Sequence, residues 1–173
     1  MRLLLILLFF NPAKCFAQVK KGELVYSIPK PDVKWGLASD VLISPDNKYV
    51  LISYDYNPSY VDLFEIEGFK KLKQFKIRGH TYLFNSFFHD NNSKIYIDIG
   101  KRINIGKEKI QYMVFDINSN EVKRIKCEEG PKGCNYAIGS PYVNLMLKEY
   151  TTTDRSLLFA IEKNSVNVYK IAQ

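Results

Sequence analysis

One pattern occurs three times in this chain: a polar turn followed by a run in which apolar and polar residues alternate. The copies read SPDNKYVLISYD, HDNNSKIYIDIG and TTDRSLLFAIEK, and they begin at Ser44, His89 and Thr152. Alternation with a period of two is typical of a β-strand that buries one face. No segment has a convincing helical period, so the repeated pattern predicts an all-β fold.

Each copy is followed by a second strand that ends with an aromatic residue, a polar residue and isoleucine. These endings are FEI (64–66), FDI (115–117) and YKI (169–171). After the first two endings come a turn and a basic strand, at 70–77 and 120–127, and a short apolar strand precedes each turn. The strands therefore form a four-stranded antiparallel meander. Its period of about 45 residues between the first two copies is the length of a propeller blade.

The third copy lacks its fourth strand, because the chain ends soon after YKI. The segment GELVYSI (22–28) has the character of that missing strand and precedes the first copy. We therefore expect residues 23–28 to lie antiparallel beside residues 165–171, since an unpaired strand would expose a row of backbone N–H and C=O groups. Regular alternation would then place Leu24 and Tyr26 on one side of the sheet, and Val25 and Ser27 on the other.

The repeat resembles WD-repeat and related β-propellers of exported bacterial proteins. SPDNKYVLISYD resembles the SPDG-type turn and strand of that family, the three endings fall at its W-D-I position, and RGH (78–80) falls where a GH dipeptide opens a blade. The resemblance covers about residues 22–171. It implies a propeller-like array of about three four-stranded antiparallel meanders, with the N-terminal strand completing the last one.

The blade count leaves three arrangements open, because closed propellers usually have four to eight blades. The array is an open partial propeller, or a homodimer closes a ring of six blades, or a different β fold uses similar hairpins. All three are kept as alternatives.

The first residues have the pattern of an export signal. Residues 3–10 are an unbroken apolar run, far shorter than the roughly 20 residues that span a bilayer, and a Cys-Phe-Ala cleavage site ends at Ala17. We interpret 1–17 as a signal peptide and 18–173 as one propeller-like domain that is exported, to the periplasm or outside the cell, with no membrane span. Lipidation of Cys15 is the alternative.

Two cysteines remain after the leader, in the segment CEEGPKGC. Their short spacing in an oxidising compartment predicts a local disulfide between Cys127 and Cys134. Free thiols and a metal site are the alternatives, but a lone pair of cysteines lacks the four ligands of a structural zinc site. We expect no metal and no cofactor.

The chain is moderately basic, with a net charge of +7 that falls to about +5 once Arg2 and Lys14 leave with the leader. The positive charge is not concentrated as in a nucleic-acid-binding protein, and export disfavours such a partner, so none is expected. The basic residues are predicted either to protect sheet edges from pairing or to form a surface for an acidic partner. These residues are Lys70, Lys71, Lys73, Lys76, Arg78, Lys101, Arg102, Lys107, Lys109, Lys123, Arg124 and Lys126.

A cluster of aromatic residues in the connection SYDYNPSY is the candidate binding site. Tyrosines in loops make good contacts with proteins or sugars, and the alternative is ordinary packing at half-buried strand positions. The residues predicted to bind are Tyr54, Tyr56, Asn57 and Tyr60.

No catalytic constellation is visible. The two histidines, His80 and His89, have no nucleophile motif near them, and residues 90–92 fit a turn better than a calcium loop. We therefore expect an exported, non-enzymatic module that binds a protein partner. One alternative is a periplasmic inhibitor or immunity-type protein that blocks a toxin or hydrolase, and another is a hydrolase or lyase on a propeller scaffold.

Overall fold

The computed structural model describes residues 20–31, 37–55, 59–77, 81–104, 107–131 and 149–172. In these ranges the chain forms twelve β-strands and two short 3-10 helices, Glu67–Phe69 and Cys127–Glu129, so the predicted all-β fold is confirmed. None of the described residues belongs to a helix long and apolar enough to cross a membrane. The predicted signal peptide (1–17) and the RGH motif (78–80) lie outside these ranges.

The strands form three antiparallel sheets of four strands each, stacked rather than closed into a barrel. We number the strands in chain order. Strand β1 is Lys21–Pro29. The first sheet contains β2 (Leu37–Ile43), β3 (Tyr49–Asp55), β4 (Ser59–Glu65) and β5 (Lys70–Ile77), in that order. The second sheet contains β6 (Thr81–His89), β7 (Lys94–Asn104), β8 (Lys107–Asp116) and β9 (Glu121–Lys126), in that order.

The third sheet is built from both ends of the chain. Its order is β1, then β12 (Ser165–Ile171), β11 (Leu157–Ile161) and β10 (Glu149–Thr151). Strand β1 runs antiparallel to β12, with Ile28 opposite Val166 and Leu24 opposite Tyr169. The predicted completion of the last meander by the N-terminal strand is therefore confirmed, as is the propeller-like array of three meanders.

The predicted alternation along β1 is wrong, because the strand contains a β-bulge. Leu24 and Tyr26 are two residues apart, but they lie opposite Tyr169 and Val168, which are adjacent. Adjacent strand residues face opposite sides, so Leu24 and Tyr26 do not share a side. Val25 packs against the core shared with the first sheet.

Strand β5 has a bulge at the corresponding place. Lys71 lies opposite Phe64 and Lys73 lies opposite Leu63, which leaves Leu72 without a direct partner in the ladder. β1 and β5 are the outermost strands of their sheets, and bulges at such edges hinder pairing with another chain.

The repeated polar turn has the same hydrogen bonds in the first and third sheets. In the first sheet the N–H of Tyr49 donates to the hydroxyl of Ser44 at 2.9 Å, and in the third the N–H of Leu157 donates to the hydroxyl of Thr152 at 3.0 Å. A residue with positive φ follows in both turns, Asn47 or Arg155. The hydroxyl thus satisfies the first N–H of the next strand, which a turn residue such as Ser or Thr can do.

The isoleucine that closes each repeat makes the same backbone hydrogen bond in all three sheets. Its backbone N–H donates to the carbonyl of the residue just before the second strand of the meander, and this bond holds the end of the third strand to the turn. The donor and acceptor pairs are Ile66 with Lys48, Ile117 with Ser93, and Ile171 with Ser156, at 2.8, 2.8 and 3.0 Å.

The first sheet lies at the centre of the stack and is buried on both faces. One face packs on the third sheet, and this core includes Val50 and Ile52 with Phe159 and Ile28. The other face packs on the second sheet. That core is formed by Leu51, Val61, Leu63, Phe75 and Ile77 with Ile95, Ile97, Ile99, Met113 and Phe115.

Two substitutions on β1 test whether this strand is part of the core. Ile28→Ala removes a side chain that is only 2% exposed and should lower the free energy of unfolding by about 2–4 kcal/mol. Leu24→Ala, on the same strand but 50% exposed, should change it by less than about 0.5 kcal/mol. Urea unfolding of both variants decides the matter, and equal effects would contradict the described closure.

Candidate binding surface

In each sheet, one of the two edge strands carries exposed apolar side chains: β1 in the third sheet, β5 in the first and β9 in the second. We call these three the outermost strands. Four large hydrophobic residues are exposed among the described ones, and all of them lie on β1, β5 or β9. We call them the outer band: Leu24 (50% exposed), Tyr26 (39%), Leu72 (38%) and Val122 (46%).

The outer band occupies one level of the repeat. Leu24 lies opposite Tyr169, and Val122 lies opposite Phe115, and these aromatic residues begin the YKI and FDI endings. Leu72 is the bulged residue beside the FEI ending. The exposed apolar side chains therefore lie near the same edge of the stack, the edge that carries the repeated turns.

Near this edge of the stack, β1 contacts the first sheet and β5 contacts the second sheet. The ring of Tyr26 stacks on that of Phe69, with centroids 4.8 Å apart and planes at 9°. Phe69 belongs to the turn before β5, where it has φ 51° after Gly68 at φ 74°. A glycine accepts this left-handed conformation without steric cost, which lets the turn present the Phe69 ring to β1.

The corresponding contact between the first and second sheets is polar. The ammonium of Lys73 donates to Oδ1 of Asn120 at 2.9 Å and lies 5.4 Å from the ring centroid of Phe115. Lys73 and Tyr26 are equivalent positions, because each lies opposite the residue that precedes the aromatic ending of its repeat. Asn120 and Phe69 are also equivalent, because each has positive φ and follows the closing isoleucine by three residues. The same geometric contact thus joins both pairs of sheets, once by stacking and once by a hydrogen bond.

Other lysines of β5 also have partners inside the molecule. Lys71 donates to Oδ2 of Asp62 at 2.7 Å, and the ammonium of Lys76 lies 5.6 Å from the ring centroid of Tyr60. Lys71, Lys73 and Lys76 therefore serve packing and pairing within the chain.

The basic residues of β9 are arranged differently. Lys123, Arg124 and Lys126 are all exposed, and the strand carries one acidic residue, Glu121. Lys71, Lys73 and Lys76 of β5 contact groups within the protein, whereas the exposed Lys123, Arg124 and Lys126 of β9 have no ion pair among the described residues. Both roles predicted for the basic residues, edge protection and binding of an acidic partner, stay predictions.

A buried carboxylate lies beneath the β5 lysines. Asp62 is 2% exposed, and besides Lys71 it accepts a hydrogen bond from Nε2 of Gln74 at 2.8 Å. Burial, together with the negative charge of Asp62 nearby, raises the pKa of Tyr54 above its usual value. A buried carboxylate of this kind is stable only while its partners remain in place.

The residues predicted to bind from sequence are placed as follows. Tyr54 is fully buried in the core between the first and third sheets, and Tyr60 is half-buried beneath Lys76. Tyr56 and Asn57 lie outside the described residues. Their binding role stays a prediction, and the surface that the structure reveals is on other residues.

Other sequence predictions concern the cysteines and the turn at 90–92. Cys127 is buried, but Cys134 lies outside the described residues, so their disulfide stays a prediction. The carboxylate of Asp90 is held by the side chains of Lys94 and His89, and these contacts lower its pKa. In the described part of the chain no group of three or more His, Cys, Asp or Glu is placed to hold a metal ion.

Sequence reasoning missed the outer band because its residues lie on three strands that are far apart in the sequence. The available signal was weak: Val122 and Leu72 are single apolar residues between lysines or glutamate, as on many edge strands. Only the sheet order shows that they share one level of one surface.

No model of a known protein family matches the chain, and no curated protein matches it either. The likeness to WD-repeat propellers therefore stays a prediction from the quoted motifs.

A double-mutant cycle tests the pair formed by Asp62 and Lys71. Lys71→Met leaves the buried carboxylate with one partner fewer, so it should destabilise the protein markedly, and much less when Asp62→Asn is also present. The coupling free energy should be about 1–3 kcal/mol in urea unfolding. Lys76→Met is the matched control, since Lys76 contacts Tyr60 and not Asp62, and equal coupling for both lysines would contradict the assignment.

Proposed function

We propose that the chain is an exported, non-enzymatic module that binds a protein partner through its outer strands. The observation that carries this proposal is the outer band: every large hydrophobic side chain exposed among the described residues lies on an outermost strand. Exposed apolar residues that gather on one surface are typical of protein contact sites, whereas scattered ones have no such meaning.

The composition of the outer band fits this role. Tyrosine and arginine are enriched where proteins bind one another; Tyr26 belongs to the outer band, and Arg124 is exposed two residues from Val122 on β9. Tyr26 is held in place by its stack on Phe69, so little side-chain freedom would be lost on binding.

Export rests on the leader pattern, and the fold is compatible with it. Cleavage after Ala17 would leave a mature chain from Gln18, and β1 begins at Lys21. The strand that completes the third sheet would therefore survive processing intact. An inhibitor or immunity-type protein would use the same surface and differ only in its partner, a toxin or hydrolase.

Site-specific photo-crosslinking in cells that make the protein tests the proposed surface. A photoreactive residue at Leu24 or Val122 should yield one adduct of defined mass. The same residue at Lys163, which is exposed in the turn between β11 and β12, is the control and should yield none. Adducts of equal yield at Lys163, or none at either outer-band position, would refute the proposal.

A further inference from the structure

We propose that the groove between β5 and β9 takes an acidic segment of a protein partner that also carries an apolar anchor. This inference rests on the proposed function and names the partner's chemistry for one part of the surface. The groove is defined by Leu72, Lys73, Asn120, Val122 and Arg124.

Strand pairing places these side chains at the mouth of one groove. Val122 lies opposite Phe115 and Arg124 lies opposite Met113, and both of these partners belong to the core between the first and second sheets. Directly paired residues share a side of the sheet, so Val122 and Arg124 face towards the first sheet.

The first sheet contributes the other wall. Lys73 lies opposite Leu63, which belongs to the same core, so its side chain faces the second sheet. Its ammonium donates to Asn120 in the turn before β9, so this bond links the two walls of the groove. Leu72 is next to it in the bulge and is 38% exposed.

Two physical features favour an acidic partner over other proteins. Arg124 and Lys126 lie on the same side of β9 as Val122 and are exposed, and Arg binds carboxylates through two parallel hydrogen bonds. Val122, 46% exposed between Glu121 and these cations, offers an apolar contact where a partner would lose water. Charge would then steer the encounter, and the apolar contact would retain the complex.

In the part of the chain that the structure describes, the portion of the outer band on β1, formed by Leu24 and Tyr26, does not have exposed, unpaired cations beside it in this way. Near Leu24 and Tyr26 the charged groups pair within the chain, because Lys21 lies 3.2 Å from Glu149 and Lys170 lies 3.7 Å from Glu23. Arg124 and Lys126 of β9, by contrast, have no such ion pair among the described residues.

The test uses the mature protein and four probes, followed by NMR shifts of backbone amides. The probes are an eight-residue peptide of alternating Glu and Leu, its Lys-for-Glu counterpart, its Ser-for-Glu counterpart, and polyglutamate. We expect the Glu–Leu peptide to shift β9 and β5 amides and to bind at least roughly tenfold more tightly than the other three, less so at high salt.

Two substitutions locate the effect. Arg124→Glu and Val122→Ser should each weaken Glu–Leu peptide binding roughly tenfold or more. Lys163→Glu, which matches the charge change of Arg124→Glu at an exposed position outside the outer band, should leave it unchanged. Retained amide dispersion in each variant shows that it is folded.

Several outcomes would overturn the inference. Equal binding of the Ser–Leu or Lys–Leu peptide would show that acidity is not recognised, and equal binding of polyglutamate would show that only charge attraction operates. Binding unaffected by Arg124→Glu would assign that residue to edge protection alone. Crosslinking at Val122 together with any of these results would leave the proposed function standing and refute only the acidic partner.

Discussion

The backbone pairing of β1 with β12 is the interaction on which the rest of this structure depends. β12 is the third strand of the last meander, and without β1 one full row of its N–H and C=O groups would face solvent. The pairing joins the two ends of the chain and gives the third sheet the same four strands as the other two. It also carries Ile28 into the core against the first sheet, where it contributes apolar burial as well as hydrogen bonds.

The first sheet, at the centre of the stack, packs on both of the other sheets and so connects the third sheet to the second. Its two faces belong to different cores, so side chains at successive positions of β3 pack in opposite directions, Leu51 towards the second sheet and Ile52 towards the third. Because both faces are buried, a register error of one residue would exchange the two cores. The repeated turns fix that register through the hydroxyl of Ser44 or Thr152.

Sequence reasoning predicted the features that arise from local chemistry. The turns, the strands and the unmatched strand before the first repeat can be recognised from residue types within a few positions, and the sheet order confirms that these strands exist and how they pair. The bulge beside Leu24 could not be predicted, since it depends on how β1 meets β12 rather than on β1 itself. The same limit explains Tyr54, whose place in a tyrosine-rich connection did not indicate that its ring lies in a core between sheets.

The outer band illustrates the same distinction for function. Leu24, Leu72 and Val122 are far apart in sequence, and they form one level of a surface only because the three sheets repeat one architecture. Repetition also produces the contrast on which the further inference rests. Equivalent contacts hold Tyr26 on Phe69 and Lys73 on Asn120, while Arg124 remains exposed beside its groove.

Hydrogen exchange on a shortened chain that starts at Pro29 tests the central claim most directly. The N–H of Ile171 bonds to Ser156 on the β11 side, so alternation directs the N–H groups of Val166, Val168 and Lys170 towards β1. We predict that these three amides lose protection relative to the protein that retains β1, while those of Val61 and Leu63 in the first sheet lose less. If Val166, Val168 and Lys170 exchange as slowly without β1 as with it, the first strand does not complete the third sheet and this account is wrong.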